Sequence, residues 1–268
     1  MKHKIPEVFP KKIQLNKLLL ILVLFSFTVS CTKDNEDLSD RIDKSVNLRG
    51  LGDSASELLS DEEFTSMNLE IVYVRGYAPD SDALEMFKNF LERRTFKPDG
   101  INISLRAVES SGEAPFEIEE IVEIEKQERT VYSAGDEIAV FIYYADGSNE
   151  NDEDNKVILG SAFRNTSMVI YGKTIEDFVA KPGNPSRNTV EAAVLNHEFG
   201  HLLGLVDIGT EAQSDHADSE NDGHCTTSGC LMRSSIEFGY GISNMLDENG
   251  VPMLDDLCIR DLQANGGR

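Results

Sequence analysis

The stretch AAVLNHEFGHLLGLVDIGTEAQSDHADSENDGHCTTSGCLM, from Ala192 to Met232, contains four of the five histidines in this 268-residue chain. His197 and His201 are four residues apart, so on a helix their rings project from the same face, one turn apart. Two neutral imidazoles at that spacing can bind one zinc ion. Glu198 lies between them and can reach a water at the metal without being a ligand, which suits a general base that later acts as a general acid. The HExxH pattern therefore predicts a zinc-dependent hydrolytic site.

The residues around this motif predict an amphipathic helix that ends at Gly204. Pro182–Pro185 interrupts regular structure before it, and Asn188 with Glu191 three residues later predicts a capping box at its start. The apolar side of the helix consists of Val190, Val194, Leu202 and Leu203. A glycine at position 204 permits a positive φ, so we expect the backbone to turn there and bring a later residue back to the metal.

The order of these residues resembles that of the metzincin zinc metalloproteases, in which HExxH and a glycine precede a third ligand and a methionine. HCTTSGCLM, from His224 to Met232, is similar to the archaemetzincin pattern, where the third histidine is followed at once by a cysteine, then by a second cysteine and the Met-turn methionine. In that family the histidine directly follows the Gly-Leu turn, whereas this chain carries an insertion, Val206–Gly223.

The resemblance implies three zinc ligands and a methionine packed beneath the ion: His197, His201, His224 and Met232. Two other residues remain candidates for the third ligand. Asp207 stands three residues after Gly204, where most metzincins carry it, and His216 lies inside the insertion. The alternatives for His216 are to order the acidic insertion, for example around a calcium ion, or to lie on the surface.

The C-terminal stretch LDDLCIRDLQ, Leu254–Gln263, resembles the archaemetzincin segment that carries a CxxC pair for a second, structural zinc. Cys258 matches the second cysteine of that pair, while Asp255 stands in the place of the first. The resemblance thus implies a second zinc site at Cys225, Cys230 and Cys258 with Asp255. A disulfide between two of these cysteines is the alternative in an oxidising compartment.

The chain before the motif predicts an α+β fold, and the resemblance implies that this fold is of the zincin or metzincin kind. Its twisted, mixed, five-stranded sheet is accompanied by two early helices, the active-site helix and a small C-terminal subdomain with the Met-turn. The predicted strands are Leu69–Tyr77, Ile101–Val108, Glu137–Tyr144, Val157–Phe163 and Met168–Thr174, and the early helices are Ala78–Arg94 and Ile118–Arg129. Glu137–Tyr144 is the most apolar run and predicts a central buried strand. Asp146–Asn155 is a candidate calcium loop, with a solvated loop as the favoured alternative.

The N-terminus resembles a bacterial lipoprotein signal. Met1–Lys17 carries five lysines and one glutamate, and an apolar run too short for a stable membrane span follows it. The sequence TVSC resembles a lipobox, which predicts a signal peptide at 1–30 and a lipid on Cys31. We therefore expect a lipidated polar tether at 31–65, a metalloprotease domain at 66–268, and an exported protein on the outer membrane or cell surface. A periplasmic or secreted protein is the alternative.

The chain has 25 Lys and Arg residues against 48 Asp and Glu residues, a net charge of −23. Such acidity argues against nucleic acid and against an anionic membrane surface as partners, so the lipid on Cys31 is the only membrane contact we expect. The predicted function is a zinc-dependent endopeptidase that acts on proteins or peptides. The alternative is a cell-surface binding module with a structural or inactive zinc site. No cysteine lies between Cys31 and Cys225, so we predict no cysteine switch.

Overall fold

The computed structural model describes residues 42–153, 156–238, 242 and 250–268. The signal peptide and Cys31 lie outside these residues, so export and lipidation stay predictions. Within the described residues, no helix combines the length and the apolar character that crossing a membrane requires.

The core of the fold is a five-stranded mixed sheet, which confirms the predicted α+β class. The strands are β1 Ser66–Val74, β2 Gly100–Val108, β3 Glu137–Ala145, β4 Gly160–Arg164 and β5 Ser167–Tyr171. Their spatial order is β2-β1-β3-β5-β4. The first four strands in this order are parallel to one another, and β4 runs antiparallel to β5. As predicted, β3 is the central strand, and β4 forms one edge of the sheet.

Helices cover the sheet and continue beyond it. They are α1 Ala55–Leu59, α2 Ser81–Arg94, α3 Ile118–Glu128, α4 Gly172–Val179, α5 Arg187–Leu202, α6 Ser234–Glu237 and α7 Asp256–Ala264. The predicted strand Met168–Thr174 was wrong in its second half, because β5 ends at Tyr171 and α4 begins directly afterwards. The apolar residues of the predicted strand all lie in β5, and the strand was extended too far over the Gly-Lys-Thr sequence that opens α4.

Side chains of β3 alternate between two apolar layers, one on each face of the sheet. Ile142 and Tyr144 point into the larger core, which contains α2 and α5, while Phe141 and Tyr143 point into a smaller core that contains α3. Burial on both faces explains why this strand is an almost continuous apolar run. In the larger core the rings of Phe87 on α2 and Phe199 on α5 meet edge to face at 5.4 Å, and this packing fixes the active-site helix on the sheet.

Residues 42–65, predicted as the end of a polar tether, pack on the domain instead. A short 3-10 helix, Lys44–Asn47, is followed by α1, whose Leu58 and Leu59 are buried in the larger core. The fully buried Asn47 side chain donates hydrogen bonds to Ser133 Oγ and to the Ala139 carbonyl, and it accepts one from the Ser133 N–H. The tether boundary at residue 65 was therefore wrong, because the apolar residues of this segment complete the core.

The same N-terminal segment meets the loop that follows α5. Gly52 lies so close to this loop that a Cβ there would sit 2.1 Å from the Ile208 carbonyl oxygen. Gly209 is equally close to Gly52 on the other side of the contact. The two backbones are in direct contact, with no side chain between them. This contact joins the N-terminal segment to the insertion.

The predicted capping box at Asn188 was wrong as well. α5 begins at Arg187, with Ser186 as its N-cap. Glu191 is buried and faces away from the helix end: its carboxylate accepts a hydrogen bond from the Asp80 N–H and lies 3.1 Å from Arg187 Nε. Burial raises the pKa of Glu191 to about 7, and Arg187 opposes this shift. Glu191 thus joins α5 to the start of α2.

Candidate metal centre

α5 presents the two motif histidines side by side, as the spacing predicts. The Nε2 atoms of His197 and His201 are 3.2 Å apart, and both rings are buried. His197 Nδ1 lies 2.8 Å from the Leu231 carbonyl oxygen and can donate to it. That bond orients the His197 ring so that Nε2, with its lone pair, faces His201.

The chain turns away from the helix at Gly204, whose φ of +78° lies in the region that glycine favours. Thr210 Oγ1 donates a hydrogen bond to the Gly204 carbonyl and holds the turn. Val206 and Asp207 follow with φ values of 59° and 63°, which are unusual for residues with a side chain. The predicted turn at Gly204 is present. Val206 and Asp207, the first two residues of the insertion, have strained backbone conformations.

The insertion returns the chain to the helix at His224. The His224 ring is stacked on that of His197 with centroids 5.2 Å apart, and its centroid is 5.3 Å from that of His201. Asp207 instead accepts a hydrogen bond from the Ala212 N–H within its own loop. His216 lies in a separate cluster of cysteines. The structure thus brings His224, and neither of the two alternatives, to the motif histidines.

A carboxylate that sequence reasoning missed joins these rings. Glu237, the last residue of α6, places Oε2 2.8 Å from His224 Nε2. The ligand atoms of Glu237 and of the three histidines all lie within 4.8 Å of one another. Glu237 follows Met232 in the chain, and no local sequence pattern marks it as a neighbour of His224.

Glu198 lies beside the histidines and is held by the edge strand. Its Oε2 accepts a hydrogen bond of 2.9 Å from the Ala162 N–H of β4, and its buried Oε1 has no hydrogen-bond partner among the described residues. Burial, together with the charge of Glu237, raises the pKa of Glu198 well above its usual value. A divalent cation beside it would oppose this shift and favour the carboxylate.

The electrostatics of the two motif histidines suit metal binding. Burial and the neighbouring His224 lower the pKa of His197 to about 3. Burial and the two other imidazoles lower the pKa of His201 well below its usual value. Both rings are therefore neutral at physiological pH and keep a lone pair for a metal. Three imidazoles and nearby carboxylates form a donor set that fits zinc.

Met232 packs beneath the histidines, against the helix that carries them. A Cβ on Gly200 would lie only 2.3 Å from Met232 Sδ, so the thioether occupies the space that a side chain on the helix would need. Met232 is fully buried. A cavity of about 170 Å³ lies on the other side of the site, lined among others by Leu51, Ser161, Ala162, Ile208 and Asp222.

A second cluster of potential metal ligands joins the insertion to the C-terminal helix. Its cysteines are free, and Cys230 Sγ lies 3.6 Å from Cys258 Sγ. His216 Nδ1 lies 3.3 Å from Cys225 Sγ and 3.9 Å from Cys258 Sγ. Hydrogen bonds from the two other thiols hold the pKa of Cys225 far below its usual value, which favours the thiolate that binds metals.

The polar residues of this cluster have different roles. His216 Nε2 lies 2.6 Å from Asp261 Oδ2, so Asp261 fixes the ring with Nδ1 toward the sulfur atoms. Asp255 Oδ2 lies 3.8 Å from Cys225 Sγ, but its Oδ1 accepts a hydrogen bond from the Cys258 N–H and caps α7. The sequence predicted Asp255 in the cluster and missed His216, because only the fold brings the insertion to the C-terminal helix.

Comparisons with known proteins add a likeness to solved structures. No family model matches the chain, and no curated protein matches it. Among solved structures, the chain is similar to the archaemetzincin from Methanopyrus kandleri, with 15% sequence identity, a TM-score of 0.48, and 75% of this chain and 96% of that chain covered. At this level of similarity, function has to be inferred from the residues of the site.

Proposed function

We propose that the protein is a zinc-dependent endopeptidase in which His197, His201 and His224 bind the metal and Glu198 is the general base. The observation that carries the proposal is the convergence of the three imidazoles beside a glutamate whose Oε1 has no hydrogen-bond partner among the described residues. The metzincin-like order of HEFGHLLG, His224 and Met232 supports the same function. When bound, zinc would act as a Lewis acid on the scissile carbonyl and on the attacking water.

Glu198 performs the proton transfers of the proposed reaction. Its Oε2 is fixed by the Ala162 N–H, so Oε1 is the oxygen that can accept a proton from the attacking water. The same carboxyl then delivers this proton to the amine of the leaving peptide. The hydrogen bond from β4 keeps the carboxylate in one orientation through both steps.

The edge strand is the proposed site for the peptide backbone. β4 is the last strand of the sheet and borders the cavity through Ser161 and Ala162. An extended peptide can pair with such an edge by main-chain hydrogen bonds. Leu51 and Ile208 add apolar surface to the same cavity, so an apolar substrate side chain suits it.

We also propose that a second zinc ion is structural and is bound by Cys225, Cys230, Cys258 and His216. The ligand atoms of His216, Cys225, Cys258 and Asp255 lie within 4.8 Å of one another, but Asp255 caps α7, and Cys230 Sγ is 3.6 Å from Cys258 Sγ and can replace it. Four thiolate or imidazole ligands in a buried position are typical of structural zinc. The contact between His216 and Asp261 supports this assignment, since histidine ligands commonly have a carboxylate on the second ring nitrogen. His216 thus takes the place in which the sequence suggested Asp255.

The experiment that tests the catalytic proposal combines metal analysis with cleavage of casein. We expect Glu198→Gln to retain zinc and to lose at least about 100-fold in cleavage rate, because the general base is removed while the ligands remain. His201→Ala should lose both the metal and the activity. Glu92→Gln, an exposed glutamate on α2, serves as the matched control and should behave like the parent.

Two results would contradict the proposal. Cleavage by Glu198→Gln at the parental rate would exclude this residue as the base. A parent protein that holds zinc but does not cleave any of a broad set of peptides would favour the binding module with an inactive zinc site.

A further inference from the structure

The backbone around Glu237 is fixed on both sides of the residue. Its carbonyl oxygen accepts a hydrogen bond of 2.9 Å from the Leu159 N–H, just before β4. The next residue, Phe238, places its ring 6.2 Å from that of His224 and 3.5 Å from the Lys156 ammonium. The Glu237 side chain is only 18% exposed, so it is held at the histidines by its surroundings.

The contact between Glu237 and His224 is not a hydrogen bond. The two atoms are 2.8 Å apart, yet His224 Nε2 has no hydrogen-bond partner in hydrogen-bonding geometry among the described residues. His224 Nδ1 lies 3.0 Å from the Asp222 carbonyl oxygen and can donate to it, so Nε2 keeps a lone pair on the side of Glu237, and the Nε2 atoms of His197 and His201 are 3.2 Å apart. Zinc bonds of about 2.0–2.1 Å in a tetrahedron separate neighbouring ligand atoms by roughly 3.4 Å, so this spacing suits donors that share one ion.

The local charge also requires a cation. The described residues that line the cavity include Glu198, Asp222 and Glu237 but no lysine or arginine. Removing a carboxylate from water without a partner is costly, and no lysine or arginine among the described residues of this cavity faces Glu237. A divalent ion among the three histidines supplies the missing charge.

We propose that Glu237 is a fourth protein ligand of the metal in the resting protein, in addition to the three histidines. The resting ion is then fully coordinated by side chains, and the carboxylate has to leave it before a peptide carbonyl can bind. The inference rests on the proposed metal site. It adds a carboxylate that controls access of the substrate to the metal, which a site of three histidines and one water does not contain.

The test measures metal binding by the purified full-length protein. The zinc dissociation constant is determined by competition with a chromogenic chelator, and the visible absorption of the cobalt(II)-loaded protein reports the ligands. We expect Glu237→Gln to weaken zinc binding about 10-fold or more and to change the cobalt spectrum. Glu237→Asp, whose carboxylate is drawn back by one methylene, should show the same changes.

Asp222→Asn is the matched control, because it removes a negative charge from the same cavity without removing a proposed ligand. It should leave the zinc dissociation constant within about threefold of the parent and the cobalt spectrum unchanged. If Glu237→Gln behaves like Asp222→Asn, Glu237 is not a ligand. Unchanged zinc affinity with a raised KM would assign Glu237 to the substrate instead. If His201→Ala binds zinc as well as the parent does, the metal site itself and the proposed function fail.

Discussion

At the residue scale, the motif brings two histidines and a glutamate of the candidate metal centre together because its spacing acts through one helix. His197, Glu198 and His201 need only the helical repeat to reach one place, so their positions follow from sequence. The choice of His224 as third ligand required a comparison of the sequences around two candidates. Asp207 has the spacing that most metzincins show, whereas His224 has the neighbouring cysteine and methionine. Glu237 could not be predicted, because its position depends on the backbone bond from Leu159 and on the packing of Phe238.

Gly200 provides a residue-scale prediction about the floor of the site. In Gly200→Ala the new methyl group would lie 2.3 Å from Met232 Sδ, so the methionine has to move. We expect a loss of about 1–3 kcal/mol in the free energy of unfolding, measured by urea denaturation, together with weaker zinc binding. The double variant Gly200→Ala/Met232→Ala should lose less than the sum of the two single variants. Additive losses would show that the methyl group and the thioether do not compete for space.

At the element scale, the predictions succeeded where periodicity is long and failed where segments are short. α2, α3 and α5 each carry an apolar repeat over several turns and were predicted close to their observed bounds. α4 was missed because it has only eight residues and begins directly after β5, although Ile175, Phe178 and Val179 lie at helical spacing. The contact of Val206–Gly223 with α7 could not be read from either segment alone.

His216 allows the insertion and its metal to be tested together. We expect His216→Ala to reduce the zinc content of the purified protein from about two ions per chain to about one and to lower the melting temperature, because one structural ligand is lost. His216→Cys should retain the second ion, since a thiolate replaces the imidazole. Asp255→Ala should also retain it, with a loss of only about 1 kcal/mol from the helix cap. Loss of the second zinc in Asp255→Ala but not in His216→Ala would reverse the ligand assignment.

At the scale of the whole molecule, the central sheet was predictable and the role of residues 42–65 was not. β3 stands out by its apolar run, whereas the N-terminal segment is rich in polar residues and reads as a tether. Its attachment depends on a few buried contacts that are distant in sequence. Asn47 alone links this segment to Ser133 and Ala139.

Asn47→Ala tests whether that segment is part of the domain. Removing the amide leaves the buried Ser133 N–H without its acceptor and takes one of two donors from the Ala139 carbonyl, which keeps Arg129 Nη2, so we expect a loss of about 1–3 kcal/mol in the free energy of unfolding, measured by chemical denaturation. Asp43→Ala, in the exposed cap of the same segment, is the matched control and should cost less. If both substitutions change the free energy of unfolding by equally small amounts, the segment is a tether and not part of the domain.

The contact between Gly52 and the loop at Gly209 constrains the order in which the protein can be completed. A chain that is synthesised from its N-terminus presents Gly52 long before Gly209 exists, so the early segment has to wait without its partner surface. Leu51 borders the cavity from this same segment. The wall of the cavity is therefore finished only after residues from both ends of the domain have met, and a nascent chain released before Gly209 would lack a complete cleft.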